Sequence, residues 1–104
     1  MPALRLFVAI DPPPPVRDAL RRSLVRAKEL APRGVRVNAV APGPVDTDLF
    51  RAGKTDEMKA RSAAMSPLNR VGTPAEVAAV VAFVASARAS WIDGQIVQPN
   101  GGMV

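Results

Sequence analysis

The 104-residue sequence contains no histidine, no cysteine and no tyrosine. Without histidine there is no imidazole for a catalytic triad, a two-histidine phosphoesterase or a typical zinc site. Without cysteine there is no disulfide, thiol nucleophile or iron–sulfur cluster. Without tyrosine there is no phenol to serve as a general acid or base. These three absences exclude many of the side-chain sets that proteins use for catalysis and metal binding.

Long apolar runs and glycine-rich phosphate motifs are also lacking. The longest mostly apolar stretch, residues 77–85, is far shorter than the roughly 20 residues that a membrane span requires. The apolar run at 6–10 is too short for a secretory signal and leads into four prolines. The seven glycines do not form the G-x-G-x-x-G pattern that holds a dinucleotide pyrophosphate. We therefore expect a cytoplasmic chain with no membrane partner.

The charge is basic and unevenly placed. The net charge is +5, and in residues 1–36 the basic residues outnumber the acidic ones eight to three. A basic helix can bind nucleic acid, but no aromatic residues alternate with these arginines to stack on bases. We interpret the basic segment as a solvated helix face and do not expect a nucleic-acid partner.

The spacing of apolar residues predicts strands alternating with helices. Strands are expected at 4–10, 35–41 and 95–97. Helices are expected from Pro14 or Pro15 to Pro32, from Thr55 to Ser66, and over 74–87. This order favours an α/β fold, specifically a partial Rossmann-like βαβαβ half-domain on a short parallel sheet. The length fits one domain, residues 1–104.

The helix over 74–87 has the clearest start signal. Thr73 is placed as the N-cap, Pro74 occupies the first helical position, and Glu76 completes a capping box. The following residues are apolar on all faces until Ser86. Such a helix must be buried on more than one side, and we assign one of those sides to a partner subunit.

Several sequence blocks recur in a recognisable order over the last 80 residues. They are Ala27-Lys-Glu-Leu-Ala-Pro-Arg-Gly34, Val35-Arg-Val-Asn-Ala-Val-Ala-Pro-Gly-Pro-Val-Asp-Thr47, Pro67-Leu-Asn-Arg-Val-Gly-Thr-Pro74, Trp91-Ile-Asp-Gly-Gln95 and Asn100-Gly-Gly102. From about 24 to 104 the chain thus resembles the C-terminal third of a short-chain dehydrogenase/reductase. The resemblance implies an NAD(P)-dependent oxidoreductase ancestry.

The first residues have a different resemblance. The stretch Arg5-Leu-Phe-Val-Ala-Ile-Asp-Pro-Pro13 resembles the opening strand of the 2′-5′ RNA ligase group of two-histidine phosphoesterases, over about 3–20. That family requires two His-x-Thr/Ser motifs, so its chemistry does not carry over to a chain without histidine. We therefore divide the domain into a foreign βα segment, 1–22, and a dehydrogenase-like region, 23–104.

The dehydrogenase resemblance implies one fragment of a cofactor site. By resemblance, Pro42 and Gly43 line the pocket of the nicotinamide ring of NAD or NADP, and Val45 and Thr47 meet its carboxamide. The family's Tyr-x-x-x-Lys motif has no counterpart, so no catalytic residue is assigned. Asp46 and Asp48 lack a third ligand, so no metal site is expected. Residues 48–65 correspond to the family's variable substrate lid.

These observations leave four alternatives. The chain is a short-chain dehydrogenase/reductase fragment without intrinsic catalysis. Alternatively, it is an interaction module that pairs with itself or with full-length family members through helix 74–87 and the strand at Ile96. An RNA-binding relic ranks behind both. Lastly, the reading frame joins pieces of two genes near residue 22.

Overall fold

The computed structural model describes residues 14–103, so the strand predicted at 4–10 lies outside the described residues. Four α-helices and two strands are formed there, together with 3₁₀ turns at Lys28–Arg33 and Ala87–Ala89. The helices are α1 (Pro14–Ala27), α2 (Asp48–Arg51), α3 (Asp56–Ala64) and α4 (Pro74–Ala85), and the strands are β1 (Ala39–Val40) and β2 (Ile96–Val97). The predicted α/β class is confirmed.

The two strands form a short parallel sheet. Ala39 pairs with Ile96 and Val40 with Val97. The Ala39 N–H donates to the Gln95 carbonyl at 2.8 Å, and the Ala41 N–H donates to the Val97 carbonyl at 2.9 Å. A parallel sheet was predicted, and the last strand is placed correctly.

The first strand of this sheet is shorter than the predicted 35–41. Before Ala39, one backbone hydrogen bond joins this segment to the one that precedes β2, from the Gly94 N–H to the Val37 carbonyl at 2.8 Å, and side chains supply the others. The Val37 N–H donates to Asp93 Oδ1 at 2.9 Å, and the Asn38 amide donates to the Ile92 carbonyl at 3.0 Å. The regular ladder is therefore confined to two residues.

Helix α1 is shorter and less regularly packed than predicted. Leu24 is buried and Leu20 is half-buried, as the apolar spacing indicated, but Val16 is exposed. The α-helix ends at Ala27 and continues as a 3₁₀ turn that includes Pro32. Proline has no N–H for an i→i−4 bond, and a tighter last turn is common at helix ends. Gly34 then adopts a φ of +72° and ends the segment.

The predicted helix starts at Thr55 and Thr73 are confirmed. Thr55 Oγ1 accepts from the Met58 N–H at 3.2 Å. Thr73 and Glu76 form the full capping box at the start of α4. Helix α4 ends at Ala85, and a 3₁₀ turn covers Ala87–Ala89 instead of a last α-helical turn.

The core of residues 14–103 is small. Its buried apolar residues come from α1, β1 with the residue after it, the C-terminal end of α4 and the 3₁₀ turn that follows it: Leu24, Ala39, Val40, Ala41, Val84 and Ala89. Val84 is the only buried residue of α4. The described part of the chain therefore does not bury α4 on several sides. No helix within 14–103 combines the length and apolarity needed to cross a bilayer.

Candidate functional site

The Pro-Gly-Pro turn at 42–44 leaves the carboxyl end of β1 and packs on the C-terminal turn. The Gly43 N–H donates to the Pro99 carbonyl at 3.2 Å. A Cβ at Gly43 would lie 3.0 Å from both Cα and Cβ of Asn100. Glycine is needed here because the two backbone segments approach closely. The absence of a side chain at Gly43 therefore allows the close contact with Asn100.

Val45 lies in the loop that follows β1 and is half-buried. It forms an isolated parallel bridge with Gly72. In this bridge Gly72 N–H donates to the Pro44 carbonyl at 2.9 Å, and Asp46 N–H donates to the Gly72 carbonyl at 2.8 Å. The bridge therefore uses the groups on either side of Val45, and its own N–H and C=O point the opposite way. One donor and one acceptor stand side by side, which is the pair that a carboxamide requires.

Thr47 has a local role that the sequence analysis did not assign. It is the N-cap of α2, and its Oγ1 accepts from the Phe50 N–H at 3.1 Å. The hydroxyl hydrogen is still available to donate, since the cap uses only the oxygen. Helix α2 itself was missed, although threonine followed by aspartate is a helix-start signal.

Asp46 and Asp48 are joined by one guanidinium. Arg51 donates to Asp46 at 2.6 Å and to Asp48 at 2.7 Å. Hydrogen bonding to Asp48 first, and then to Asp46, raises the pKa of Arg51 above its ordinary value. Within 14–103 no cluster of three potential ligands could hold a metal ion. The two ion pairs join Asp46 in the loop to the start and the end of α2.

A cleft of about 270 Å³ lies beside the loop. Its lining joins the Pro-Gly-Pro turn to α1, the end of the lid and the residues after β2, including Arg17, Met65, Asn100 and Met103. Pro42 and Gly43 lie in one wall of this cleft, and their contact with a nicotinamide ring stays a prediction. Val45 and Thr47 lie beyond that wall. The four predicted site residues therefore belong to two adjacent surfaces of one loop.

Two residues that support this loop from behind were not identified as such from the sequence. Asn38 is buried, and its carboxamide donates to the Ile92 carbonyl and accepts from the Gln95 N–H at 3.0 Å each. The Arg36 guanidinium donates to the carbonyls of Ile92, Val84 and Ser86 at 2.9–3.2 Å. The hydrogen-bond partners of Asn38 and Arg36 lie about fifty residues further along the chain, so no local signal could have revealed these contacts.

Comparison with known families decides the ancestry of this site. A family model described as enoyl-(acyl carrier protein) reductase matches residues 18–104. The chain belongs to the short-chain dehydrogenase/reductase family. The match begins at residue 18, close to the predicted start at about residue 24, and the division of the domain at residue 22 stays a prediction. The resemblance of 3–20 to the RNA ligase group stays a prediction.

Curated relatives support this membership. The chain is 52% identical over 77 residues to a 3-oxoacyl-[acyl-carrier-protein] reductase of Aquifex aeolicus, which covers 74% of this chain and 31% of that protein. It is 45% identical over 80 residues to an NADPH-dependent aldehyde reductase-like chloroplastic protein of Arabidopsis thaliana, covering 77% of this chain and 30% of the relative. The chain thus matches about a third of the length of these relatives.

Solved structures confirm the fold. The angucycline C-6 ketoreductase LanV, solved with bound NADP, superposes with a TM-score of 0.81 at 29% identity, over 98% of this chain and 44% of that one. The reductase LugOII, which catalyses keto-reduction in lugdunomycin biosynthesis, gives 0.79 at 33% identity, over 98% and 45%. The Rossmann-like half-domain predicted from the sequence therefore agrees with solved family structures.

Proposed function

We propose that residues 42–47 form the nicotinamide side of an NAD or NADP site, and that this 104-residue chain alone does not catalyse hydride transfer. The observation that carries the proposal is the Val45–Gly72 bridge. It uses the Pro44 carbonyl and the Asp46 N–H, so the N–H and C=O of Val45 point together to the side opposite Gly72. A fixed donor and acceptor of this kind recognise a primary carboxamide without reorganising the loop.

The residues fit the nicotinamide end of the cofactor. Val45 supplies a backbone donor and acceptor, and Thr47 adds a hydroxyl hydrogen whose oxygen is held by the Phe50 N–H. Pro42 and Gly43 provide a rigid wall beside which a flat ring fits. A bound nicotinamide would supply or accept a hydride. These residues would orient the ring and hold its amide.

Two features of the sequence argue against turnover by this chain. It has no tyrosine to donate a proton, and its glycines form no phosphate-binding pattern. We expect no change in nicotinamide absorbance above the blank when the pure chain is mixed with NADH or NADPH and a panel of ketones and aldehydes. The reverse reaction, with the oxidised cofactors and alcohols, should also leave the absorbance unchanged. Turnover that co-purifies with the chain through two columns contradicts this part of the proposal.

Ring binding is tested separately from catalysis. Nicotinamide mononucleotide, which lacks the adenosine half, should shift the backbone amide NMR signals of Val45 and Thr47. Thr47→Val should weaken this binding severalfold because the hydroxyl donor is lost. Thr55→Val is the matched control, since Thr55 caps α3 as Thr47 caps α2. Equal effects of the two variants, or shifts confined to other loops, would contradict the assignment.

The surface of α4 favours a second candidate function, an interaction module. Ala79, Ala82 and Phe83 are exposed on this helix, and Phe83 is 42% exposed. An apolar helix face of this kind is stable in water chiefly when a partner covers it. We infer that a second copy, or a full-length family member, packs on α4 and on the neighbouring edge at Ile96. Light scattering that shows a monomer even at high concentration argues against self-association.

A further inference from the structure

We propose that Asn100 is a deamidation site whose reaction is restrained by the turn at 100–103. The proposal is independent of cofactor binding. It concerns a covalent modification of this chain, and its effect is felt at the Pro-Gly-Pro turn on which Asn100 packs.

The sequence makes Asn100 the most reactive asparagine of the chain. There are three asparagines, and they are followed by Ala39, Arg70 and Gly101 respectively. Deamidation begins when the backbone nitrogen of the next residue attacks the asparagine Cγ. A following glycine lowers this barrier, because it has no side chain to shield the nitrogen and the fewest limits on its backbone.

The C-terminal turn does not use the attacking nitrogen. Gly101 is exposed, and within 14–103 its N–H takes part in none of the backbone hydrogen bonds of the C-terminal turn. Gly101 and Gly102 have φ values of +65° and +86°. This backbone conformation belongs to glycine, so the turn itself requires the residue that makes Asn100 reactive.

The same turn holds the carboxamide at both ends. Asn100 Nδ2 donates to the Met103 carbonyl at 2.7 Å, and Oδ1 accepts from the Gly102 N–H at 3.0 Å. Attack on Cγ needs the carboxamide to rotate toward the Gly101 nitrogen, and that rotation breaks both bonds. The folded turn therefore slows the reaction, and opening of the turn releases it.

The reaction consumes one water and releases one ammonia. The Gly101 nitrogen loses its proton to solvent and forms a bond to Asn100 Cγ. The C–N bond of the carboxamide breaks, and its NH₂ group takes up a proton from solvent and leaves as ammonia. The five-membered succinimide is then opened by water at either carbonyl. One product is aspartate, and the other is isoaspartate, in which the main chain passes through the former side chain and gains a methylene.

The isoaspartate product should loosen the Pro-Gly-Pro turn. Gly43 packs directly on Asn100 and donates to the Pro99 carbonyl at 3.2 Å. On the other side, the Ser66 hydroxyl donates to the Gly101 carbonyl at 2.5 Å. The extra methylene lengthens the main chain between these two contacts, so they cannot both be kept. The new carboxylate also cannot donate to the Met103 carbonyl.

The site is tested by incubating the full chain at mildly alkaline pH, folded and in concentrated urea. Peptide mass spectrometry then follows the increase of about 1 Da at each asparagine. We expect Asn100 to react first, and severalfold more slowly in the folded chain than in urea. Asn69, followed by arginine, is the internal control. Equal rates at Asn69 and Asn100 in urea overturn the assignment, and equal rates at Asn100 with and without urea overturn the restraint by the turn.

The structural effect is tested on the isoaspartate form purified from the aged sample. Hydrogen exchange at the Gly43 amide should be severalfold faster than in the unmodified chain. The Asp46 amide, bound to the Gly72 carbonyl, should be unchanged. Asn100→Asp adds the charge without the methylene, so its Gly43 amide should stay close to the unmodified rate. Unchanged exchange at Gly43 in the isoaspartate form overturns the link to the turn.

Discussion

At the scale of single residues, Glu76 has the densest set of polar contacts at the start of α4. Its carboxylate accepts from the Thr73 N–H at 2.9 Å and from both terminal nitrogens of Arg70, at 2.7 and 3.0 Å. The hydrogen bonds from Arg70, followed by that from the Thr73 backbone, lower the pKa of Glu76 to about 2. The sequence predicted the capping box, whereas the Arg70 contact depends on how residues 66–73 fold back.

The depressed pKa of Glu76 predicts a loss of stability in acid. Because the folded pKa lies below the ordinary value of 4.5, the charged form stabilises the fold above that value. This contribution is lost as the pH falls from there to about 2. Glu76→Gln should therefore lower the free energy of unfolding at neutral pH, and the difference from the unmodified chain should shrink in acid.

Urea unfolding at pH 7 and at about pH 3 measures this difference. Glu57→Gln is the control, because Glu57 pairs with Arg61 on the exposed face of α3 and such surface pairs contribute little. A Glu76→Gln variant that loses stability with acid as steeply as the unmodified chain is incompatible with this role for Glu76.

At the scale of elements, the starts of α3 and α4 follow from the local sequence. Thr55 and Thr73 cap helices through an N–H three residues away, so the signal is contained in four consecutive residues. The end of α4 depends on distant groups instead. Arg36, just before β1, donates to the Val84 and Ser86 carbonyls at the C-terminus of the helix. The carbonyls of a last helical turn lack partners inside the helix, and a cation there is favourable. The Ser86 carbonyl also accepts from the Ala89 N–H at 3.2 Å.

Arg36 should therefore hold α4 and β1 together. Arg36→Met keeps much of the aliphatic volume but leaves three carbonyls without this donor, so we expect a loss of about 1–3 kcal/mol in the free energy of unfolding. Arg36→Lys should restore part of it. Arg33→Met is the control, because Arg33 is exposed. If the Arg36→Met and Arg33→Met variants are equally stable in urea unfolding, Arg36 does not hold α4 and β1 together.

At the scale of the whole molecule, α4 has the apolar sequence of a buried helix, but most of its residues are not buried within one chain. The helix sequence is apolar on nearly every face, yet Val84 is its one buried residue in the described structure. Trp91, shortly after the helix, is 99% exposed. The prediction that a partner covers α4 remains a proposal, and it follows from the cost of exposing this much apolar surface to water.

Self-association through α4 is sensitive to a charge placed on its face. Phe83→Glu should shift the mass measured by light scattering toward the monomer, because burying an unpaired carboxylate in an apolar contact is costly. Leu49→Glu is the matched control, since Leu49 is an exposed apolar residue of α2. If the Phe83→Glu and Leu49→Glu variants associate as well as the unmodified chain, the chain assembles through another surface.

The candidate site also depends partly on neighbouring residues along the chain and partly on contacts with distant residues. Pro42, Gly43, Val45 and Thr47 were assigned from a contiguous motif, and the structure places them on one loop. The motif did not show that Gly43 packs on Asn100, nor that Gly72 orients Val45. These contacts join segments separated by a helical lid, so they depend on how the lid ends and where the chain returns.

The sequence by itself determined the family, the start of each longer capped helix and the absence of the proton-donating tyrosine. Each of these is a property of the residues present or of a few neighbours along the chain. The tertiary structure alone decided which groups meet: Asn38 with Ile92, Arg36 with the end of α4, and Asn100 with Gly43. Those pairs lie about fifty residues apart, and their contact depends on packing that no local pattern encodes.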